Sequence, residues 1–328
     1  RTTPDAVTAE NGYELALPWL PACLQWKKLK KICNTHIFSP QKLDSLRDLR
    51  HQAMKNMVQR VIAAQEVGEV IPIGGLVFAT VVQLLSNSLF SSDMLNPASD
   101  AMKELQVLHT CSCSTQSCNT FKHYFPFLRP FDLQGIKRTI KLSYDRLHEL
   151  IDDMMDRRMK QRSSGSERYG DILDVLLDYT EDDGPQGLTH LDVKLLITEV
   201  FIGGMDTSIV IVEWVMTELL HYPTILSKLK QELSDKIIPG ETVQEQDIPR
   251  LTYLTAVIKE TMRLHPATPL LLPRRAEQEV ENSGIHHSKT HSDLGEFLVG
   301  FKGRCILGST HMFRPRAVPK LRYCFQGQ

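Results

Sequence analysis

The chain has 328 residues, of which 42% are hydrophobic and 23% are charged, with a formal net charge of -1 at pH 7. This length allows one or two domains around a large core, and the composition is that of an ordinary globular protein. The near-zero charge argues against a general nucleic-acid-binding protein, because no basic excess is available to neutralise phosphates. The seven cysteines are an odd number, which argues against a disulfide framework and favours a reducing compartment.

Most of the chain is predicted to be helical, because apolar residues recur at helical spacing with charged residues between them. The patterned segments are Gln41 to Glu66, Ile136 to Arg162, Tyr169 to Tyr179, Thr189 to Tyr222, Thr224 to Lys236 and Leu251 to Leu264. Thr189 and Asp192 form a capping-box-like start for the longest of these. The apolar run Val70 to Leu85 contains a proline and two glycines and is shorter than the ~18 residues of a membrane span, so we expect a buried helix. Arg1 to Glu10 shows no signal peptide.

The longest predicted helix is interrupted by the run Gly203-Gly204-Met205-Asp206-Thr207-Ser208. Each glycine costs roughly 1 kcal/mol relative to alanine inside a helix, so the missing side chains need a reason. One interpretation is a helix-packing contact that requires small residues. The other is a notch for a small molecule, in which Asp206 and Thr207 relay protons to the ligand. The following residues, Ile209 to Met216, are apolar nearly all round and are expected at the centre of the protein.

Two further motifs carry charged side chains at helical spacing. Glu260 and Arg263 lie three residues apart on one helix, which alone is typical of a surface ion pair. Trp26 and Lys30 lie in a lysine-rich stretch that alone is typical of a solvated helix face. An indole donor one turn from a cation could instead bind a carboxylate.

Taken together and in this order, these motifs resemble those of the cytochrome P450 family. The resemblance implies a mainly α-helical cytochrome P450 fold, here truncated, with most of the small β-sheet and the cysteine-ligand loop missing. It implies that Gly203 and Gly204 line the haem cofactor, and that Asp206 and Thr207 are the catalytic residues that steer protons to dioxygen.

The resemblance also assigns the remaining motifs. Trp26, Lys30 and Arg274 would bind the haem propionates, with Lys30 replacing the arginine of the family pattern by a point charge. Glu260 and Arg263 would form a buried structural pair. We expect one partial helical domain over residues 1–284 and an irregular segment over residues 285–328 that does not match the family.

Two phrases, Arg1 to Ala6 and Phe127 to Asp132, are similar to plant members of the geraniol-hydroxylase kind. The resemblance therefore implies a small lipophilic, terpenoid-like substrate, with electrons from an NADPH-cytochrome P450 reductase as partner. Family members lie on the cytosolic face of the endoplasmic reticulum membrane. No anchor is identified in this sequence, so the location stays open.

The iron-binding cysteine of the family lies in a Phe-x-x-Gly-x-Arg-x-Cys-x-Gly loop, and no such pattern occurs in these residues. Cys305, in Phe301 to Gly308, has similar neighbours at compressed spacing and is the candidate that remains. We therefore expect the chain to be inactive as a monooxygenase. The alternatives are a non-enzymatic helical binding or decoy protein and the product of a damaged gene.

Two segments, Thr110 to His123 and Gly284 to Gln328, have no helical or strand period. A zinc cluster in the first is disfavoured by its cysteine spacing. Translation out of frame, or from retained intron, is the other interpretation. It predicts that another reading frame of the coding DNA gives family-like sequence across residues 106–123 and 286–328.

Overall fold

The computed structural model describes residues 12–91, 105–106, 135–165, 168–180, 187–238 and 241–268, and the short stretches 274–275, 279–282, 285–287 and 292–293. Its longer helices are α1 Leu24–Ile32, α2 Pro40–Ser45, α3 Arg47–Glu66, α4 Ile73–Phe90, α5 Ile136–Ser163, α6 Ile172–Asp178, α7 His190–His221, α8 Pro223–Lys236 and α9 Thr252–Leu264. Short 3-10 turns span Tyr13–Leu15 and Glu245–Arg250, and a π turn spans Cys33–Ile37. The mainly helical prediction is confirmed, because most described residues are in helices.

The start of α7 follows the predicted capping box. The Thr189 backbone N–H donates to the Asp192 carboxylate at 2.9 Å, and the Asp192 N–H donates to the Thr189 hydroxyl at 3.1 Å. Each side chain thus satisfies a backbone donor that the first helical turn leaves without a partner. Pro223 occupies the first turn of α8, as expected for a residue with a fixed φ and no N–H.

The predicted helix Gln41 to Glu66 is divided into α2 and α3. The chain leaves helical geometry at Leu46, where φ is -92° and ψ is 6°. Immediately before this break, the Ser45 hydroxyl donates to the Lys42 carbonyl at 2.7 Å. Local side-chain hydrogen bonds of this kind compete with helix continuation, and apolar periodicity does not report them.

The apolar run around residue 80 forms α4, which is displaced toward the C-terminus relative to the prediction. It has 18 residues, and Val77, Phe78, Val82, Leu89 and Phe90 are buried. Both α4 and α7 are long and apolar enough to cross a membrane by length and composition, with 39% of each apolar window buried inside the protein. Core helices share these properties, and both helices contribute buried side chains to the core.

The chain divides into two compact units, the first comprising residues 1–206 and 272–294 and the second residues 207–271 and 295–328. In the first unit, the largest fully buried side chains include Phe90, Leu173, Leu196 and Phe201. In the second, Leu219, Leu229 and Val257 form a cluster against which α8 and α9 residues pack. Helix α7 contributes residues to both units.

The described part of the C-terminal region contains two short antiparallel ladders. Strand β1 (Arg274–Arg275) pairs with β4 (Ser292–Asp293), and β2 (Val280–Asn282) pairs with β3 (Ile285–His287). Strands in this region were not expected, because pairing of two or three residues is too short to produce an alternating sequence pattern. The β2–β3 ladder crosses the domain boundary predicted at residue 284, and that boundary otherwise stays a prediction.

Candidate functional site

The two glycines of α7 have different surroundings. Within the part of the chain that the structure describes, a Cβ atom placed on Gly203 would have no neighbouring atom within 4 Å, whereas one on Gly204 would lie 3.1 Å from the Leu85 Cδ2 atom of α4. Gly204 is therefore the packing glycine, since its missing side chain lets α4 approach. Gly203 opens a notch on the helix surface. The packing interpretation thus describes Gly204, and the ligand-notch interpretation stays a prediction at Gly203.

Asp206 and Thr207 lie between the buried and exposed sides of α7. Met205 and Ile209 are 0% and 1% exposed and face the core, while Gly203 and Ser208 are exposed. Asp206 and Thr207 are half-buried. An acid and an alcohol at such a boundary can exchange protons with solvent on one side and with a ligand in the notch on the other.

The sequence predicted that Ile209 to Met216 lie at the centre of the protein, and this prediction is wrong for part of the segment. Ile209 is buried, but Val212 and Trp214 are each 39% exposed. The ring of His265, which follows α9, stacks on Trp214 at a centroid distance of 3.7 Å, and its Nε2 atom lies 2.6 Å from the Glu218 carboxylate. Apolar composition on all sides of a helix indicates burial only where other elements surround it.

Trp26 and Lys30 lie together on α1. The Lys30 ammonium is 4.6 Å from the centre of the Trp26 ring, and Lys30 is exposed while Trp26 is half-buried. The indole N–H and the ammonium are both hydrogen-bond donors with no acceptor capacity. This pair is chemically suited to a carboxylate ligand.

Glu260 and Arg263 form the predicted pair on α9. The Arg263 Nε and Nη2 atoms each donate to the Glu260 carboxylate at 2.8 Å. The Glu260 side chain is 9% exposed, and the Arg263 side chain is 26% exposed. The carboxylate is therefore buried, and the guanidinium lies at the edge of the protein.

The N-terminus of α9 is capped by a residue that the sequence reasoning missed. The Glu232 carboxylate, from α8, accepts hydrogen bonds from the Tyr253 and Leu254 N–H groups at 2.9 Å each, and the Lys236 ammonium lies 2.9 Å away. Burial raises the pKa of Glu232, but these hydrogen bonds outweigh it and lower the pKa to about 2. The capping carboxylate lies 21 and 22 residues before the two N–H groups that it accepts, and no sequence motif has this spacing.

A second unpredicted network joins α4, α5 and α6. The Arg158 guanidinium donates two hydrogen bonds of 2.8 Å to Asp171 and one of 2.9 Å to the Phe90 carbonyl, and it lies 3.0 Å from Asp174. Arg162 also pairs with Asp174 at 3.0 Å. Although burial raises the pKa of Asp174, the hydrogen bonds from the two arginines lower it overall.

Two cysteines lie among the described residues of the chain. Cys23 and Cys33 are the free cysteines among them, and burial raises the pKa of the Cys33 thiol to about 11. Within the same residues, no group of three or more metal-binding side chains occurs. Arg274 lies in β1, described by its backbone alone, and Cys305 and the cysteine-rich segment Thr110 to His123 lie outside the described residues.

Known proteins similar to this chain support its relationship to one family. A 7-ethoxycoumarin O-deethylase of Helianthus tuberosus is 36% identical over 284 residues, 87% of this chain and 57% of that protein. A geraniol 8-hydroxylase of Catharanthus roseus is 34% identical over 289 residues, 88% of this chain and 58% of that protein. The chain thus spans less than two thirds of the length of these relatives.

The fold is shared with a solved structure. A zebrafish cytochrome P450 determined with progesterone has a TM-score of 0.76, at 18% identity, over 96% of this chain and 72% of that one. The family model named Cytochrome P450 matches residues 18–289, which include Trp26, the Gly203 notch and the Glu260–Arg263 pair. On this match and these relatives, the chain belongs to the cytochrome P450 family, in the plant group that includes the geraniol hydroxylases.

Proposed function

We propose that this chain carries the oxygen-side and propionate-binding parts of a cytochrome P450 monooxygenase site. The proposed reaction is hydroxylation of a small lipophilic molecule. The observation that carries the proposal is the open notch at Gly203, with Asp206 and Thr207 following it on the same helix. Haem is the cofactor of the family to which the chain belongs.

The residues present fit haem at its propionate edge. Trp26 and Lys30 offer two donors and no acceptor on adjacent turns of α1, which is the chemistry that two carboxylates require. Lys30 binds as a point charge, so this contact lacks the two-pronged geometry of an arginine. Arg274 is a further propionate partner in the proposal, by its match to the family motif alone.

The residues do not fit haem at the iron. The Cys33 thiol is buried and protonated at neutral pH, since burial raises its pKa to about 11. The sequence contains no cysteine loop of the family pattern. We therefore propose that these 328 residues alone bind haem without a thiolate ligand and are inactive as a monooxygenase.

Haem with its thiolate ligand supplies activation of dioxygen when it is bound. In the proposal, the Asp206 carboxyl group takes up protons from solvent, because it lies at the boundary of the exposed side of α7. The Thr207 hydroxyl donates and accepts a hydrogen bond and so delivers protons into the notch. The bare backbone of Gly203 leaves room there for a small ligand.

The substrate class in the proposal is a small terpenoid or a molecule of similar size and polarity. Relatives named geraniol 8-hydroxylase support this assignment at 34% identity. Electrons would come from an NADPH-dependent reductase, which is the proposed partner.

Titration of the haemin-loaded chain with geraniol, followed by the haem absorption spectrum, tests the proposal. We expect a saturable spectral change that is lost in Gly203→Leu, because the added side chain fills the notch. Among the described residues, no atom lies within 4 Å of the new Cβ, so the backbone of α7 itself does not oppose the change. Ser208→Leu, which adds similar bulk elsewhere on α7, is the matched control. Equal responses from both variants would contradict the proposed site.

A further inference from the structure

Helix α1 is held against the start of α7 by two polar contacts beside its buried face. Leu29 and Ile32 are 2% and 3% exposed and pack into the protein. The Gln25 amide donates to Asp192 Oδ1 at 2.9 Å, and the Lys28 ammonium donates to the Gly187 carbonyl. Gly187 lies just before α7, and Asp192 lies in its first turn.

The acceptor Asp192 is itself fixed in place. Its second oxygen, Oδ2, accepts the Thr189 backbone N–H at 2.9 Å and the Thr189 hydroxyl at 2.7 Å. Asp192 is 7% exposed. One carboxylate therefore both caps α7 and receives Gln25, which gives the contact a rigid acceptor.

These contacts determine the rotation of α1 about its axis. Successive residues are separated by about 100° around a helix. On this geometry Gln25 shares the buried side with Leu29, and Lys28 lies at one edge of it. Trp26 and Lys30 lie at the opposite edge. Apolar packing alone tolerates a small rotation of α1, whereas the two directional hydrogen bonds of Gln25 and Lys28 resist it.

We propose that Gln25 and Lys28 are positioning residues for the propionate-binding pair Trp26 and Lys30. Without them, α1 would remain folded and packed by Leu29 and Ile32, but the two donors would no longer be held in one orientation. This inference rests on the proposed function, because it assumes that Trp26 and Lys30 receive the haem propionates.

The test compares the binding of haemin and of haemin dimethyl ester, whose propionates are uncharged, to the full chain. We expect Gln25→Ala to weaken haemin binding about fivefold, the effect of losing roughly one ordinary hydrogen bond, with little change for the ester. Lys30→Ala should show the same selectivity. Gln52→Ala, which removes an exposed glutamine that donates to Asn56 within α3, is the control.

The possible results separate the inference from the proposed function. If Lys30→Ala discriminates between the two ligands and Gln25→Ala does not, the positioning role is wrong and the propionate site stands. Equal weakening of both ligands by Gln25→Ala would indicate general loss of structure and also overturn the inference. If Lys30→Ala and Trp26→Phe leave haemin binding unchanged, the propionate assignment fails and the inference falls with it. Should Gln25→Ala not fold, Lys28→Met, which keeps the apolar stem, must show the same selectivity.

Discussion

Two arginine–carboxylate pairs in this molecule differ in how their partners are supplied. Glu260 and Arg263 belong to one helix, and the arginine side chain is 26% exposed. Arg158 is 6% exposed and binds Asp171 and Asp174, each 3% exposed, together with the Phe90 carbonyl. The hydrogen bonds between Glu260 and Arg263 lie within one helix and are partly solvated, whereas those of Arg158 join three helices around a buried charge.

This difference in burial indicates which of the two pairs contributes more to the stability of the fold. A buried guanidinium whose hydrogen bonds are satisfied is tolerated, but removing it leaves carboxylates buried without a partner. At the edge of the protein, water replaces part of a lost interaction. The pair that forms the family motif should therefore matter less for folding than the pair that forms none.

The largest expected effect is that of Arg158→Ala. Loss of the guanidinium leaves Asp171 and Asp174 buried together, and we expect the free energy of unfolding to fall by about 3–5 kcal/mol. The matched control is the neighbouring Arg157→Ala, whose side chain is 68% exposed and pairs with Asp153 on the same helix. The control should cost under about 1 kcal/mol in urea unfolding. Similar losses in both variants would contradict the comparison.

A smaller effect is expected for the pair on α9. We expect Arg263→Ala to lower the free energy of unfolding by about 1–3 kcal/mol, because Glu260 stays buried while the arginine site admits water. Arg250→Ala, whose side chain is 64% exposed and pairs with Asp247 at the same spacing, serves as control. If Arg263→Ala behaves like this control, the motif pair is an ordinary surface ion pair. A loss of unfolding free energy as large as that of Arg158→Ala would show that Arg263 stabilises the fold as strongly as Arg158 does.

The next prediction concerns the pH dependence of the Glu232 cap. We expect Glu232→Gln to destabilise the protein by about 1–2 kcal/mol at pH 7, since it removes a charged cap from two backbone N–H groups of α9. The folded-state pKa of Glu232, about 2, lies below its ordinary value of 4.5, so this stabilisation is complete above pH 4.5 and is lost as the pH falls toward 2.

Urea unfolding of the parent and the variant between pH 7 and pH 3 measures this difference. The two stabilities should converge as the pH falls below 4.5. A difference that stays constant over this range would show that the charge of Glu232 does not contribute to the cap.

The smallest effect separates the two glycines of the notch. Gly203→Ala should stabilise the protein by about 0.5–1 kcal/mol, because alanine favours the helix and the new methyl group meets no atom of the described residues within 4 Å. Gly204→Ala gains the same helix preference but must displace Leu85, which lies 3.1 Å from the new Cβ. Thermal unfolding should therefore rank Gly203→Ala above Gly204→Ala. The reverse order would assign the packing role to Gly203.

Local features of this fold could be predicted from the sequence, and features that join distant segments could not. The capping box at Thr189 and Asp192 and the pairing of Glu260 with Arg263 were predicted because their partners lie three residues apart. Arg158 bonds a carbonyl 68 residues away, and no spacing rule connects the two. The exposure of Trp214 was missed because composition shows which helix could be buried, not what surrounds it.

In the candidate site, too, local features could be predicted and contacts between distant segments could not. The glycine run at Gly203 and Gly204 predicted that this part of α7 requires missing side chains. Which glycine packs against α4 could be learned only from the structure. The contact of Gln25 with Asp192 spans 167 residues and was not foreseen. The roles of Asp206, Thr207, Trp26 and Lys30 in haem chemistry stay predictions.

The central claim is that these 328 residues bind haem at its distal and propionate sides without a thiolate ligand. The direct measurement is the carbon monoxide difference spectrum of the chain after loading with haemin and reduction. We expect bound haem, detectable by its absorption, without a thiolate-type Soret band. A strong thiolate-type band that disappears in Cys305→Ser would contradict the claim and identify Cys305 as the iron ligand.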